Sequence, residues 1–435
     1  MKKIGYIIVC LACMLFAGQA CTGEIDDVFD KPPYERISEL NAERIEILSA
    51  AENGWLIEYF ATDRSEGYPI LLKFDPSGRV DAMCRNRWSE DRTYVDSSFY
   101  SINEVHHGSV LSFATYNDVI HLFSDPSAVP GTVRGVGLGG DYEFVIHHAD
   151  ADSVYMQGKK RLTSVYMKKL PLDITWEAYY DRIYEINDFL FNETSPTLRL
   201  IAGEDRYLLT DGYSQVFTVT NEKDATESFE LPFVLTETGF RFYKPIEIGG
   251  LSIKAFNLNE DKTALVSAEN LEFRIEGVSL TYFFLNNNAS WNFDPETMTP
   301  QLKENYNLMI QEVKAIVESM YPRMDITVAP FMKKYRNQMA LYLEIIMRSG
   351  TNEQQMDGYI GLNPIITGDN SLSFSYGAEG SDNNGSRYYA NSSSLKAFVD
   401  LISSEFQMNT ENILNPIDLE LVSKEDSNIY FTLSK

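Results

Sequence analysis

Along most of the chain apolar and polar residues alternate with a period of two, and stretches of helical period are few. The first helical stretch covers residues 34–52, where Ile37, Leu40, Ile45 and Leu48 recur at three- to five-residue steps before the stop Asn53-Gly54. From Trp55 to about Leu170 the alternation predicts strands: Trp55–Phe60, Pro69–Phe74 closed by Asp75-Pro76-Ser77-Gly78, Val110–Phe113, Val119–Phe123, Tyr142–Ile146 and Ser153–Met156. Short strands separated by turn residues at this spacing predict an antiparallel meander, a sandwich or a barrel.

A helix is expected at 174–190, with Trp176, Tyr179, Ile183, Ile186 and Leu190 on one face. A further β-rich stretch runs from about 196 to 284 and includes Tyr207–Leu209, Gln215–Val219, Phe233–Leu235 and Leu271–Ile275. The two β-rich stretches do not align cleanly enough to establish a repeat. Residues 286–298 are polar and Asn-rich, as in a boundary. Thr299-Pro300 then opens a helix carrying Leu302, Tyr306, Met309, Val313, Ile316 and Met320, which stops before Pro322. Strands at about 338–347 and 371–376, a helix at about 393–406 and a hairpin of 417–421 with 429–433 complete a C-terminal α+β section. The expected fold class is α+β and β-rich. Its segments are 1–20, 21–52 (tether and short helix), 53–170 (antiparallel β), 171–285 (helix plus second β section) and 286–435 (α+β).

The N-terminus changes the picture. Lys2 and Lys3 precede the apolar run Ile4–Ala17, and the small residues Ala17, Gly18 and Ala20 lead to Cys21. A basic start, an apolar core of this length and small residues form an export signal, too short for a permanent span of about 20 residues. The segment resembles a bacterial lipoprotein signal with Cys21 as the lipidated residue, although Gly18 stands where such signals usually carry Leu. An ordinary cleaved signal leaving Cys21 as a free thiol is the alternative. The acidic run Glu24, Asp26 and Asp27 resembles a surface-export signal, and equally fits a solvated tether. Outer-membrane attachment is therefore expected, on the cell surface or in the periplasmic leaflet. Of four cysteines, Cys10 and Cys13 would leave with the signal and Cys21 would take lipid. Cys84 would be left without an intrachain partner.

Composition narrows the function. The 435 residues carry 37 Lys+Arg against 63 Asp+Glu, a formal charge of -26. Such acidity excludes a nucleic-acid binder that works through a basic surface, and it disfavours docking on anionic lipid through a basic patch. A 44% hydrophobic fraction is enough for packed cores.

Several words in residues 50–165 then carry a family resemblance. They are Asn53-Gly54-Trp55, Gly67-Tyr68 before Leu72-Lys73-Phe74, Leu111–Asn117, and His121-Leu122-Phe123-Ser124-Asp125-Pro126. Gly139–Phe144 and Gly158-Lys159-Lys160-Arg161 complete the set. Together the chain resembles the lipoprotein family known only as domain of unknown function 4302. The resemblance implies an outer-membrane lipoprotein beside starch-utilisation-like uptake components. It supplies no reaction and no catalytic residue.

Candidate chemistry is sparse. All five histidines, His106, His107, His121, His147 and His148, fall in one window. Side chains alternate across a strand, so His107, His121 and His147 could offer three imidazoles to one metal ion with an open position for water. Five unrelated surface histidines fit the same pattern, since no metal-binding spacing accompanies them. Gly135–Gly140 matches the form GxGxxG, but a strand is expected after it where a dinucleotide site needs a helix. Asp382-Asn383-Asn384-Gly385 fails the calcium-loop spacing and reads as a polar turn. No GxSxG elbow occurs, and paired carboxylates cannot be chosen among 63 acids. Tyr376, Tyr388 and Tyr389 beside a Gly/Ser/Asn-rich loop are the candidate accessible aromatics for a glycan or peptide. The leading expectation is a non-catalytic ligand- or partner-binding accessory to a TonB-dependent uptake system, with no cofactor. The alternative is a surface hydrolase with a histidine-held metal or paired carboxylates.

Overall fold

The computed structural model describes residues 31–86, 88, 93–105, 108–129, 137–191, 196–248, 250–336 and 338–435. The signal, Cys21, His106, His107 and the start of the GxGxxG segment lie outside them. The fold is β-rich α+β, built from antiparallel sheets and a few helices.

Helix α1 (Pro33–Ser49) leads into a closed barrel of eight strands: β1 (Trp55–Phe60), β2 (Gly67–Phe74), β3 (Arg79–Cys84), β4 (Tyr94–Val105), β5 (Gly108–Phe113), β6 (Glu143–Ala149), β7 (Ser153–Gly158) and β8 (Ser164–Lys169). Each strand pairs with the next, and β1 closes on β8 through Trp55–Lys169 to Glu58–Tyr166. Of the two meander forms expected, the barrel is the one observed. Inward residues such as Trp55, Ile57, Tyr59, Ile70 and Leu72 form one core, while Leu56 and Leu71 on the outer face join another. Strand β1 is buried throughout because both of its faces are covered.

One expected strand is a helix. Val119–Phe123 contains the short helix α2 (Asp118–His121), because the Asn117 side chain accepts the N–H groups of Val119 and Ile120. That N-cap overrides the β-preference of Val119 and Ile120. Val119, Ile120 and Phe123 instead join the barrel core, and β5 pairs with β6.

Helix α3 (Trp176–Phe191) connects to a second closed eight-stranded barrel, again in sequential order. Its strands are β9 (Leu198–Ala202), β10 (Asp205–Thr210), β11 (Val216–Asn221), β12 (Ser228–Thr236), β13 (Gly239–Ile248), β14 (Leu251–Leu258), β15 (Ala264–Ser267) and β16 (Phe273–Gly277). Phe191, Phe217, Phe233, Phe240, Phe242 and Phe256 form a continuous run of ring contacts in its core. The two β-rich stretches thus share one architecture.

The C-terminal third holds helices α4 (Leu280–Asn286), α5 (Pro300–Met320), α6 (Asn383–Asn391) and α7 (Ser393–Ile402). Its strands are β17 (Trp291–Asp294), β18 (Asp325–Tyr335), β19 (Gln338–Ser349), β20 (Asn352–Gln355), β21 (Gly358–Gly368), β22 (Ser371–Gly377), β23 (Phe406–Asn409), β24 (Asp418–Ser423) and β25 (Tyr430–Ser434). Strand β18 pairs with both β17 and β19. The ladder therefore runs β17-β18-β19-β21-β22-β23-β24-β25 and back to β17, a third closed ring of eight with β20 attached outside it. The Asn-rich segment 286–298 contains β17, whose Trp291 is fully buried, and the core of this third unit begins at Val278. Asp382–Gly385 opens helix α6 in place of a polar turn. Asp382 Oδ1 accepts the Gly385 N–H at 2.6 Å. A Cβ on Gly385 would lie 2.0 Å from the Tyr359 carbonyl oxygen, so only glycine permits the approach.

Helices α5 and α7 are joined by a cap in trans. The Glu312 carboxylate accepts the Ser394 N–H at 3.0 Å, the Ser392 hydroxyl at 2.7 Å and the Ser394 hydroxyl at 2.9 Å. Led by the Ser394 backbone bond, these contacts hold its pKa down at about 2, from an ordinary 4.5. A depressed carboxylate stabilises fully above its unfolded pKa and loses that contribution as pH falls toward 2. Glu312→Gln should cost about 2 kcal/mol at neutral pH and flatten acid sensitivity between about pH 4.5 and 2. Urea midpoints for both proteins at pH 7 and pH 3 check this; equal differences at the two pH values would contradict it.

Candidate functional site

Apolar side chains pack the cores of both sequential barrels. A cleft of about 550 Å³ runs along helix α3 where the two barrels approach, within the usual range for small-molecule sites. A hollow of about 680 Å³ beside Asp150–Ser153 and Lys168–Leu172 is more open to solvent.

Helix α3 supplies one side of the cleft through Tyr180, Ile183, Tyr184, Asn187 and Asp188. Steps of three and four residues put them on one face. The helix is seated by Trp176, whose Nε1–H donates to the Asn53 carbonyl at 2.8 Å. Tyr180 is buried, and its hydroxyl reaches the carbonyls of Pro69 (2.7 Å) and Met83 (3.0 Å) at the first barrel's wall. Burial raises its pKa far above the ordinary phenol value, so it stays protonated and structural.

The first barrel adds Glu66, Tyr68, Pro69, Arg85 and Asn86. The Arg85 guanidinium lies 3.6 Å from the Tyr184 ring centre and 3.5 Å from the Asp181 carboxylate, which fixes both a cation and a ring at the cleft wall. Trp88 Nε1–H donates to the Tyr68 hydroxyl at 3.2 Å. Cys84 lies behind this wall with the Asn86 amide 3.0 Å from its sulfur, and burial pushes the thiol up to about 12. A reactive cysteine needs the opposite shift.

The second barrel adds Tyr213, Gln215 and Leu235. Tyr213 sits on a single 3₁₀ turn, Gly212–Ser214, and is 57% exposed. The turn is flanked by two left-handed non-glycine residues, Asp211 (φ 62°) and Gln215 (φ 56°). Such residues cost free energy and persist where neighbours enforce them. Here Gly212 rests on Phe191 and Phe217, and the Phe233 N–H donates to the Gln215 carbonyl at 3.0 Å. The Gln215 Oε1 atom is buried without a hydrogen-bond partner. None of these cleft residues was singled out from sequence as a site. The pattern Tyr180/Tyr184/Asn187 at helical spacing was the available signal.

The sequence candidates lie elsewhere. Tyr376 and Tyr389 are half-buried and stack face to face at 4.0 Å with a 9° tilt. Tyr388 is fully buried, contrary to the expected accessibility, and its hydroxyl donates to the Met356 carbonyl at 3.2 Å. Helix α6 turns Tyr388 inward because one face of a short helix must cover the core. The three do not form one open surface.

His121 is a residue of helix α2 and not of a strand. Its ring is sandwiched between Tyr116 (4.8 Å, 28°) and Tyr142 (4.9 Å, 25°). Its Nδ1 lies 3.0 Å from the Asn117 nitrogen and 3.2 Å from the Asn117 carbonyl oxygen, and its role as acceptor or donor follows the tautomer. Burial lowers its pKa. His147 lies on β6 against Tyr155 at 5.5 Å, and His107 is outside the described residues. Among the described residues, no three His, Cys, Asp or Glu side chains gather as a metal-holding group. No helix among them is long and apolar enough to cross a membrane.

A family model described as Domain of unknown function (DUF4302) matches residues 25–260, which takes in the first barrel, helix α3 and most of the second barrel. No curated protein matches the chain. Among solved structures, the β subunit of DNA polymerase from Streptococcus pyogenes is 12% identical, with 92% of this chain and 97% of that chain covered and a TM-score of 0.13. The β sliding clamp of C. crescentus is 8% identical, with 92% and 96% covered and a TM-score of 0.12. At TM-scores this low the likeness supports no conclusion.

Proposed function

The chain belongs to the DUF4302 family, and from that premise we propose that it is a lipid-anchored outer-membrane protein which binds a ligand or partner as a non-catalytic accessory to nutrient uptake. The observation that carries the binding part is the cleft. Two rigid, filled barrels hold a mixed lining of tyrosines, amides and one fixed cation around about 550 Å³. Sites of that make-up recognise and orient small molecules. The one thiol behind the lining is pushed away from nucleophilic chemistry. The anchor rests on the basic and apolar N-terminal run leading to Cys21, and the surface location on the acidic residues after it.

The test is cross-linking and affinity capture of the tagged protein from its native outer membrane. Recovery of a TonB-dependent barrel or its lid-like lipoprotein is the expected result. Recovery of the protein alone would overturn the accessory role. In the same cells palmitate label should be lost on Cys21→Ala, and label retained by that variant would overturn the anchor.

A further inference from the structure

The cleft's residues say more than that something binds. Tyr213 presents an exposed ring at the rim, held there by a strained turn. Gln215, two residues on, lines the same cleft and brings an amide to it. Asn187 on the α3 side adds both a donor and an acceptor.

Charge limits the ligand. Glu66 and Asp188 outnumber Arg85 in the lining, and Arg85 already lies between Tyr184 and Asp181. The chain as a whole carries -26. An anionic ligand would therefore meet a repulsive field. The remaining chemistry is one apolar ring face beside groups that both donate and accept. A pyranose has that form: a C–H face that lies on an aromatic ring and an equatorial rim of hydroxyls that donate and accept. Peptide binding by strand addition is a poorer match, because it needs a free sheet edge and both flanking barrels are closed.

We infer that the inter-barrel cleft is a binding site for a neutral saccharide, with Tyr213 as the stacking platform and the Asn187 and Gln215 amides as its hydrogen-bonding groups. This rests on the binding-accessory reading and names its ligand class. The two can fail separately in one experiment. The full-length protein, purified in detergent, is applied to an array of neutral oligosaccharides and to an array of peptides. Hits are titrated calorimetrically with the parent, Tyr213→Ala and Tyr213→Phe proteins.

Saturable binding of an oligosaccharide, weakened about tenfold by Tyr213→Ala and within about threefold for Tyr213→Phe, is the expected result. Unchanged melting of Tyr213→Ala would show that the loss is not unfolding. Saccharide binding indifferent to Tyr213→Ala would overturn the site and leave the binding role standing. Peptide binding that Tyr213→Ala abolishes would overturn the ligand class alone. Binding to neither array would overturn both.

Discussion

Replacing Phe233 with alanine should lower the stability of the second barrel by about 4 kcal/mol. Phe233 is fully buried and touches three rings: Phe217 at 4.6 Å, Phe240 at 5.0 Å and Phe191 at 5.5 Å. Removing its ring leaves a cavity in the centre of a closed wall, and a closed wall cannot collapse to fill it. Phe191 belongs to helix α3, so the cavity also loosens the helix that forms the cleft. Phe233→Leu, which keeps most of the volume, should cost about 1–1.5 kcal/mol. Hydrogen exchange measured peptide by peptide would resolve the effect. Lost protection spread over β9–β16 and α3 is expected, and a loss confined to β12 would contradict the idea of a shared aromatic core.

The second large effect is electrostatic. Glu58 on β1 is 8% exposed and faces Arg241 on β13, with Nε and Oε1 3.2 Å apart. The contact is an ion pair without hydrogen-bond alignment, since Arg241 Nε has no hydrogen-bond partner. Lys168 stands close by. Burial lowers its pKa first, the Arg241 and Lys254 charges lower it further, and Glu58 opposes them. Glu58 is thus the anion among three cations at the junction of the barrels. Glu58→Gln should cost about 2 kcal/mol, because it removes the anion beside the partly buried Arg241 and Lys168 charges. Glu58→Leu combined with Arg241→Leu should recover most of that loss. Urea denaturation of the two single variants and the double variant decides it. A double variant as unstable as the sum of the singles would show that the pair acts through packing.

Strands β1, β2, β5, β6 and β7 of the first barrel were legible as short apolar stretches bounded by turn residues, whereas β3, β4 and β8 were not singled out from sequence. What those runs meant was less legible. Leu56 and Leu71 are apolar because a second barrel covers them, a contact between residues far apart in the chain. Ring closure is equally non-local: β1 meets β8, and β18 meets β17 across α5. The strand expected to carry His121 lost a local competition, where one Asn117 side chain capped helix α2 instead. The aromatic reading chose Tyr388 from its loop-like neighbours, whereas the Asp382 cap and Gly385 build a helix that buries it. The cleft could not be assembled beforehand. Glu66, Arg85, Tyr184, Tyr213 and Leu235 come from five separate stretches and meet only in three dimensions.

The closed ladders have a consequence for life in a crowd. Copies of any one protein meet often wherever it is concentrated. Open sheets in that setting template one another into fibres. Each of the three described rings consumes its own strand edges. The strand hung outside, β20, carries Asn352, Glu353, Gln354 and Gln355, all exposed, with Glu353 held by Arg348 at 2.9 Å. A short polar strand with a charge at its centre is a weak template. Among the described residues the rings thus leave little free edge for a second copy to pair with, and the buried Cys84 offers no ready thiol for a covalent link.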